Sequence, residues 1–244
     1  MIYDSPSYIY NFALPICPPS SWLHQHYSTE LSQEVKIIKG ISAGWGTCFR
    51  TVLLDEKLLV LACWKDTIAV GLESGPIIIL NAITGMQVAI LSGHSGWVGC
   101  LVFSTDGTSL ISGSEDKTIK LWDMQTGGVV RTFHGHTYLV SAVSISADCV
   151  TIASGSWDGT ICVWDVRTGE CNHIIKQENR IKHVCFFPLN PKHLIFISMS
   201  ISGDEIWQWD ISSQQFVLIC NGSQIAFSLD GTQFVVCNES LLRF

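Results

Sequence analysis

The stretch that decides the fold runs from Gly93 to Asp165. It opens with Gly93-His94, continues through an apolar run Val98 to Phe103, the turn Thr105-Asp106-Gly107 and a second run Leu110 to Ser114, and closes with Asp116, Ile119 to Trp122-Asp123 and Gly127-Gly128. The same order then returns as Gly135-His136, Val140 to Ile145, Ser154-Gly155-Ser156, Asp158, Ile161 to Trp164-Asp165 and Gly169. The two copies keep one offset, a period of 42 residues from Trp122 to Trp164. Self-similarity at such a period marks a repeat architecture.

Each copy holds four short apolar runs divided by turn residues, and the runs alternate with the two-residue period of a half-buried strand. Four strands per unit follow. The Gly-His opening, the Trp-Asp close and the unit length resemble the WD40 repeat, whose units are four-stranded blades set around a central channel. The resemblance implies an all-β, WD40-like propeller of four-stranded antiparallel blades.

Outward from this core the pattern weakens. One period upstream, Leu80-Asn81 stands where Trp122-Asp123 would, Gly71 where Gly113 would and Gly85 where Gly127 would. Residues 58–91 therefore read as a blade whose polar signature is gone, with Val52 at the His position and Ser74 at the turn Asp position. The two full copies give blades at 93–134 and 135–176. A further unit spans 180–220 and ends on Trp209-Asp210, where Pro188, Pro191 and the irregular Ser198 to Gly203 predict a distorted second strand. A partial copy occupies 223–244, with Phe227-Ser228-Leu229-Asp230-Gly231-Thr232 repeating Phe103-Ser104-Thr105-Asp106-Gly107-Thr108. Blades so counted number about four to five against ~4–8 in closed propellers, so an incomplete propeller over 35–244 is expected. Unpaired edges in such an arc favour self-association.

Residues 1–34 lack the pattern and read as an irregular leader or linker, with a short helical piece from Ser20 to Ser32. Strand-like runs follow at Val35 to Lys39 and Cys48 to Leu54. Tyr8-Ile9-Tyr10 and Ala13-Leu14-Pro15 are similar to the segment that precedes the repeats in fungal NACHT-WD40 proteins, which are signal-transducing NTPases. That resemblance implies a ligand-sensing segment of a larger signalling protein. The chain has no Gly-x-x-x-x-Gly-Lys-Ser/Thr phosphate loop, so no nucleotide engine or other cofactor is expected.

Composition narrows the function. A formal charge of −7 disfavours nucleic acid, whose binding rests on basic surface. The oily stretch Ile77 to Leu91 is broken by Asn81, Thr84, Gly85 and Gln87, short of the ~20 apolar residues that cross a bilayer. No membrane partner is expected, and the start does not read as a secretory signal, so the expected location is cytoplasmic. The ten cysteines include no Cys-x-x-Cys pair and several fall inside predicted strands, which favours reduced structural thiols. His24-x-His26, His134-x-His136 and Cys171-x-His173 each supply two ligands where structural zinc uses four, so no metal is expected.

In WD40 proteins the Gly-His histidine, a second-strand Ser or Thr, the turn Asp and the third-strand Trp form a hydrogen-bonded tetrad. The resemblance places His94, Ser112, Asp116 and Trp122 in one such set and His136, Ser154, Asp158 and Trp164 in the next. Ser, His and Asp together also raise a propeller hydrolase as the rival reading. Recurrence every 42 residues fits scaffolding better than one active site, and no Gly-x-Ser-x-Gly elbow is present. A truncated product without a partner is the remaining alternative. A His-to-Asp bond would gather the loops carrying Ser95, Trp97 and Glu115, and Thr137, Tyr138 and Trp157, on one face. Those residues form the expected protein-binding surface, because Trp and Tyr anchor interfaces more often than other types.

Overall fold

The computed structural model describes residues 56–188, 190–201, 203–227, 234–238 and 241–243. They lie within a compact unit spanning Leu53–Phe244. The leader, the strand-like runs at 35–39 and 48–54 and the turn at 228–233 fall outside the described residues. Four sheets of four strands each follow in chain order, then one of three. The first holds β1 (Leu58–Trp64), β2 (Thr67–Leu72), β3 (Ile77–Asn81) and β4 (Gln87–Leu91). The second holds β5 (Val98–Phe103), β6 (Ser109–Ser114), β7 (Ile119–Asp123) and β8 (Val129–Phe133). The third holds β9 (Val140–Ile145), β10 (Thr151–Ser156), β11 (Thr160–Asp165) and β12 (Cys171–Lys176). The fourth holds β13 (Ile181–Phe187), β14 (Asn190–Ser198), β15 (Glu205–Asp210) and β16 (Gln215–Asn221), and the last β17 (Gln224–Phe227), β18 (Phe234–Asn238) and β19 (Leu241–Arg243).

Every strand pairs antiparallel with its sequence neighbour, so each sheet is a meander. First strands lie side by side, β1 against β5, β5 against β9 and β9 against β13, which sets the sheets around an axis as propeller blades. Among the described residues the sheets do not close into a ring.

Turn chemistry explains why the chain reverses where it does. The carboxylate of Asp123 accepts the amide protons of Gln125 and Thr126, both at 2.8 Å, and Gly127 completes the turn at φ 71°. This is an Asx turn, in which the side chain substitutes for a backbone acceptor. Asn81 does the same in the first sheet, accepting from Ile83 and Thr84 at 3.0 and 2.8 Å. The blade read as having lost its polar signature thus keeps one polar element at the turn, since an amide oxygen caps it as well as a carboxylate does. The expected distortion of the second strand in the fourth sheet falls on its pairing with β13, where Phe186 pairs with Leu194 but Phe187 with Asn190, so that Pro191, Lys192 and His193 of β14 bulge out of the ladder. Pairing of β14 with β15 is unbroken from His193 to Ser198, and Pro191 stands ahead of that ladder, where its missing N–H interrupts no bond to β15. β13 carries a bulge of its own in the same ladder, between Ile181 and His183.

The core is built between sheets. One buried cluster joins Ala69, Ile77, Ile79 and Leu91 of the first sheet to Val98, Leu110 and Trp122 of the second. The next joins Ile111, Ile119 and Phe133 to Val140, Ile152 and Trp164, and a third joins Ala153, Ile161 and Ile175 to Ile181, Leu194 and Trp209. Close approach is possible because Gly71, Gly113 and Gly155 face the first strand of the following blade. A β-carbon on Gly155 would stand 2.4 Å from Cγ2 of the buried Ile181, and one on Gly113 would stand 2.6 Å from Cγ1 of Val140. Gly155→Ala is expected to overpack this junction and destabilise the protein by about 1–3 kcal/mol, read as a lower urea midpoint at unchanged slope.

Candidate interaction face and its buried supports

Within the second sheet the four tetrad residues meet in one chain of hydrogen bonds. Trp122 Nε1 donates to Ser112 Oγ at 2.7 Å, Ser112 Oγ lies 2.7 Å from His94 Nε2, and His94 Nδ1 lies 2.8 Å from Asp116 Oδ2. Donor and acceptor counts give the direction. The indole N–H goes to the hydroxyl oxygen, the hydroxyl proton to Nε2 and the Nδ1 proton to the carboxylate, so a neutral imidazole satisfies every group. In the third sheet Trp164 Nε1 donates to Ser154 Oγ at 2.8 Å and Ser154 Oγ lies 2.7 Å from His136 Nε2. Here the last link differs. His136 Nδ1 reaches Thr160 Oγ1 at 2.9 Å, while Asp158 Oδ2 stands at 3.4 Å and takes part through the Thr160 hydroxyl, which donates to Asp158 Oδ1 at 2.6 Å.

The threonines were not expected. Thr118 donates to Asp116 Oδ1 at 2.7 Å just as Thr160 does to Asp158, and the signal was the Asp-x-Thr spacing shared by both copies. Burial works against the charge on Asp116, but hydrogen bonds from His94, Thr118 and the Ser95 amide outweigh it, and the carboxyl is held well below the usual range. Burial likewise opposes the charge of Asp158, and donors from Thr160 and Thr137 overcome it, drawing the group down to about 2. His136 is pushed down by burial, partly offset by Asp158.

The connectivity Ser-His-Asp matches a hydrolytic triad, yet the chemistry is blocked. Ser112 and Ser154 are 0% exposed, and each hydroxyl is covered by an indole N–H. A nucleophile must reach its substrate, and these cannot. What the networks do is fix loops. The second oxygen position of the carboxylate binds the backbone ahead of the first strand, Ser95 N at 3.0 Å in one blade and Thr137 N at 2.7 Å in the other. A backbone bond from Glu115 N to Trp97 O at 2.9 Å, and from Trp157 N to Leu139 O at 3.1 Å, ties each loop to the facing turn.

The loops so held carry the remaining expected residues. Ser95, Glu115, Thr137 and Tyr138 are exposed, while Trp97 and Trp157 are half-buried. The Trp97 ring lies over Gly99, where a β-carbon would come within 2.7 Å of it. Tyr138 lies parallel to Trp157 with ring centroids 6.4 Å apart and planes 10° apart. Sequence reasoning missed Arg180, whose guanidinium carbon sits 4.7 Å from the centroid of the Trp157 ring. Of the paired His and Cys positions considered for metal, His24 and His26 lie outside the described residues. Among the described residues no group of three or more His, Cys, Asp or Glu side chains is placed to hold an ion. Cys63, Cys100, Cys149, Cys162, Cys171, Cys185 and Cys220 are free thiols.

Radially arranged four-stranded meanders with a buried Trp-Ser-His-Asp chain define a WD40-type β-propeller. Residues 85–123 and 127–165 match the family model described as WD domain, G-beta repeat, so the chain carries WD40 repeats. Each match starts just before the outer strand of one sheet and ends on the third strand of the next. The nuclear distribution protein PAC1 of Candida tropicalis is 39% identical over 80 residues, covering 29% of this chain and 16% of that protein. The small ribosomal subunit protein RACK1 of Caenorhabditis elegans is 37% identical over 89 residues, 33% of this chain and 25% of that protein. Apoptotic protease-activating factor 1 of Danio rerio is 39% identical over 59 residues, 24% of this chain and 5% of that protein. The alignments thus span a quarter or less of these relatives. A chain in the crystal structure of the mitotic checkpoint complex shares the fold, with TM-score 0.67 and 22% identity over 76% of this chain and 58% of that one.

Two outcomes follow for the networks. Asp158→Ala leaves the Thr137 amide and the Thr160 hydroxyl without their acceptor, and is expected to cost about 1–3 kcal/mol in denaturant titration. The pH dependence has a definite sign. His136 has a folded pKa below its unfolded value, so the unfolded chain gains protons first and stability falls as pH drops below about 6.5. Asp158 contributes stability that is present above the unfolded carboxyl value of about 3.9 and is lost as pH falls towards its folded value of about 2. Urea midpoints measured from pH 7 to pH 3 are expected to decline, and Asp158→Asn to flatten the acid end of that decline.

Proposed function

We propose that this chain is a non-enzymatic protein-interaction scaffold or ligand-sensing propeller that acts in the cytoplasm. The single observation that carries the reading is the aromatic display on loops fixed by two adjacent buried networks: Tyr138, 51% exposed, stacks on Trp157, and Trp97 occupies the neighbouring blade. Holding exposed aromatics on a pre-set backbone lowers the ordering cost of association. A finer form of the proposal makes the chain the sensing segment of a NACHT-WD40-type signalling protein whose NTPase lies elsewhere. Support comes from the Tyr8-Ile9-Tyr10 and Ala13-Leu14-Pro15 words and from the similarity to apoptotic protease-activating factor 1. Self-association through blade edges belongs to the same reading, supported by exposed Phe216, Val217 and Leu218 on the outer strand β16.

Affinity capture from cytosolic extract, with bound proteins identified by mass spectrometry, is the test. Specific partners are expected with the wild-type chain and expected to be lost in the double variant Trp97→Ala, Tyr138→Ala at preserved thermal stability. Recovery that ignores this pair would reject the face.

A further inference from the structure

Position by position, the residue before each first strand offers its carbonyl to the turn across the blade. Lys57, Trp97, Leu139 and Arg180 accept the amides of Glu73, Glu115, Trp157 and Met199 respectively, at 2.9–3.1 Å. Arg180 is therefore the rim residue of the fourth blade, with its backbone fixed by the same clip. Its side chain crosses the junction and lies over the Trp157 ring of the third blade, on which exposed Tyr138 also stacks.

Two observations single out this exposed guanidinium. First, its guanidinium carbon sits 4.7 Å over the indole in a cation–π contact that uses none of its N–H donors, the fork that matches a carboxylate in a bidentate pair. Second, the fork is empty of internal partners: among the described residues Arg180 makes no ion pair or side-chain hydrogen bond. This happens in a chain with 21 acidic and 14 basic side chains, where a neutralising carboxylate is statistically at hand. The adjacent cation is treated differently, since Lys182 is paired with Asp204 at 2.8 Å. Glu178, two residues away, is exposed and forms no ion pair with Arg180, and Glu115 lies on the rim of the second blade.

We propose that Arg180, held over the Trp157 ring on which Tyr138 also stacks, is the receptor for a carboxylate side chain on an acidic, aromatic-containing segment of a partner protein. The proposal rests on the interaction-face reading above and names the chemistry of its occupant. The guanidinium supplies the bidentate contact and Tyr138 offers a flat surface for an aromatic neighbour.

Fluorescence polarisation with the full chain tests it, using a labelled hexapeptide of four glutamates and two phenylalanines and a control with glutamine at the four glutamate positions. The glutamate peptide is expected to bind about tenfold tighter or more, as one charge-assisted pair gives. Arg180→Gln is expected to erase that difference, Arg180→Lys to keep part of it, and Lys182→Gln to leave it unchanged. Equal affinity for the two peptides, no binding of either, or a difference that survives Arg180→Gln would overturn the site. If that happens while protein capture still depends on Trp97 and Tyr138, the carboxylate receptor fails and the interaction face stands; if capture is also indifferent, both fail.

Discussion

A single four-stranded sheet has two faces and cannot bury either by itself. In this chain that constraint is met by packing each sheet on the next, which is why four of the buried clusters draw side chains from two consecutive blades, while a fifth, of Val70, Leu72, Ile78 and Leu80, lies within the first sheet. The contact is close where Gly71, Gly113 and Gly155 admit the branched side chains of Val98, Val140 and Ile181. Protein interiors pack at crystalline density, so the glycine and the branched residue opposite it form one unit spread over two repeats. The fourth sheet departs from this. Ile197 stands where the glycine would, fully buried with Ile195, Ile206, Cys220 and Val236, and the sheet that follows has three described strands.

Polar burial obeys a second rule, which is completeness. Where Ser112 and Ser154 stand in the second and third sheets, the corresponding places hold Val70 and Phe196 in the first and fourth, both buried. Leu80 replaces the tryptophan in the first sheet. A network with one missing member would leave an unsatisfied group in a low-dielectric interior, and such a group costs more than an apolar substitute. The second and third blades therefore carry the whole chain of donors and acceptors, the first replaces its serine and tryptophan by Val70 and Leu80, and the fourth keeps the tryptophan as Trp209 over a buried Phe196. This explains how the first sheet keeps the same meander and register as its neighbours after losing their signature.

Much of this was legible in the sequence because the deciding signals are local. The Gly-His opening, the Trp-Asp close and the apolar runs between them mark strands and turns within a few residues. The residues His94, Ser112, Asp116 and Trp122, and their counterparts in the next copy, are brought together by the structure. Thr118 and Thr160 were missed because a threonine two places past an aspartate reads as an ordinary turn residue until the imidazole is placed beside it. Asn81 was underestimated because amide and carboxylate look unlike in sequence but cap a turn through the same oxygen. Arg180 was invisible for a different reason: its contact with Trp157 crosses from one blade to the next, and no local pattern pairs the two residues.

That contact links the two rules to the face. The second and third blades, with complete networks, hold Trp97, Tyr138 and Trp157 on loops whose backbones are bonded at both ends. The fourth blade lacks the histidine and the serine, and it contributes to the face through Arg180, whose own carbonyl is clipped by Met199. A long cationic side chain that stacks on a fixed indole has already given up much of its rotamer freedom, so a partner does not have to order it. The rigid blades thus position a cation that originates outside them. Charge and aromatic surface meet at the seam between a network-bearing blade and an apolar one.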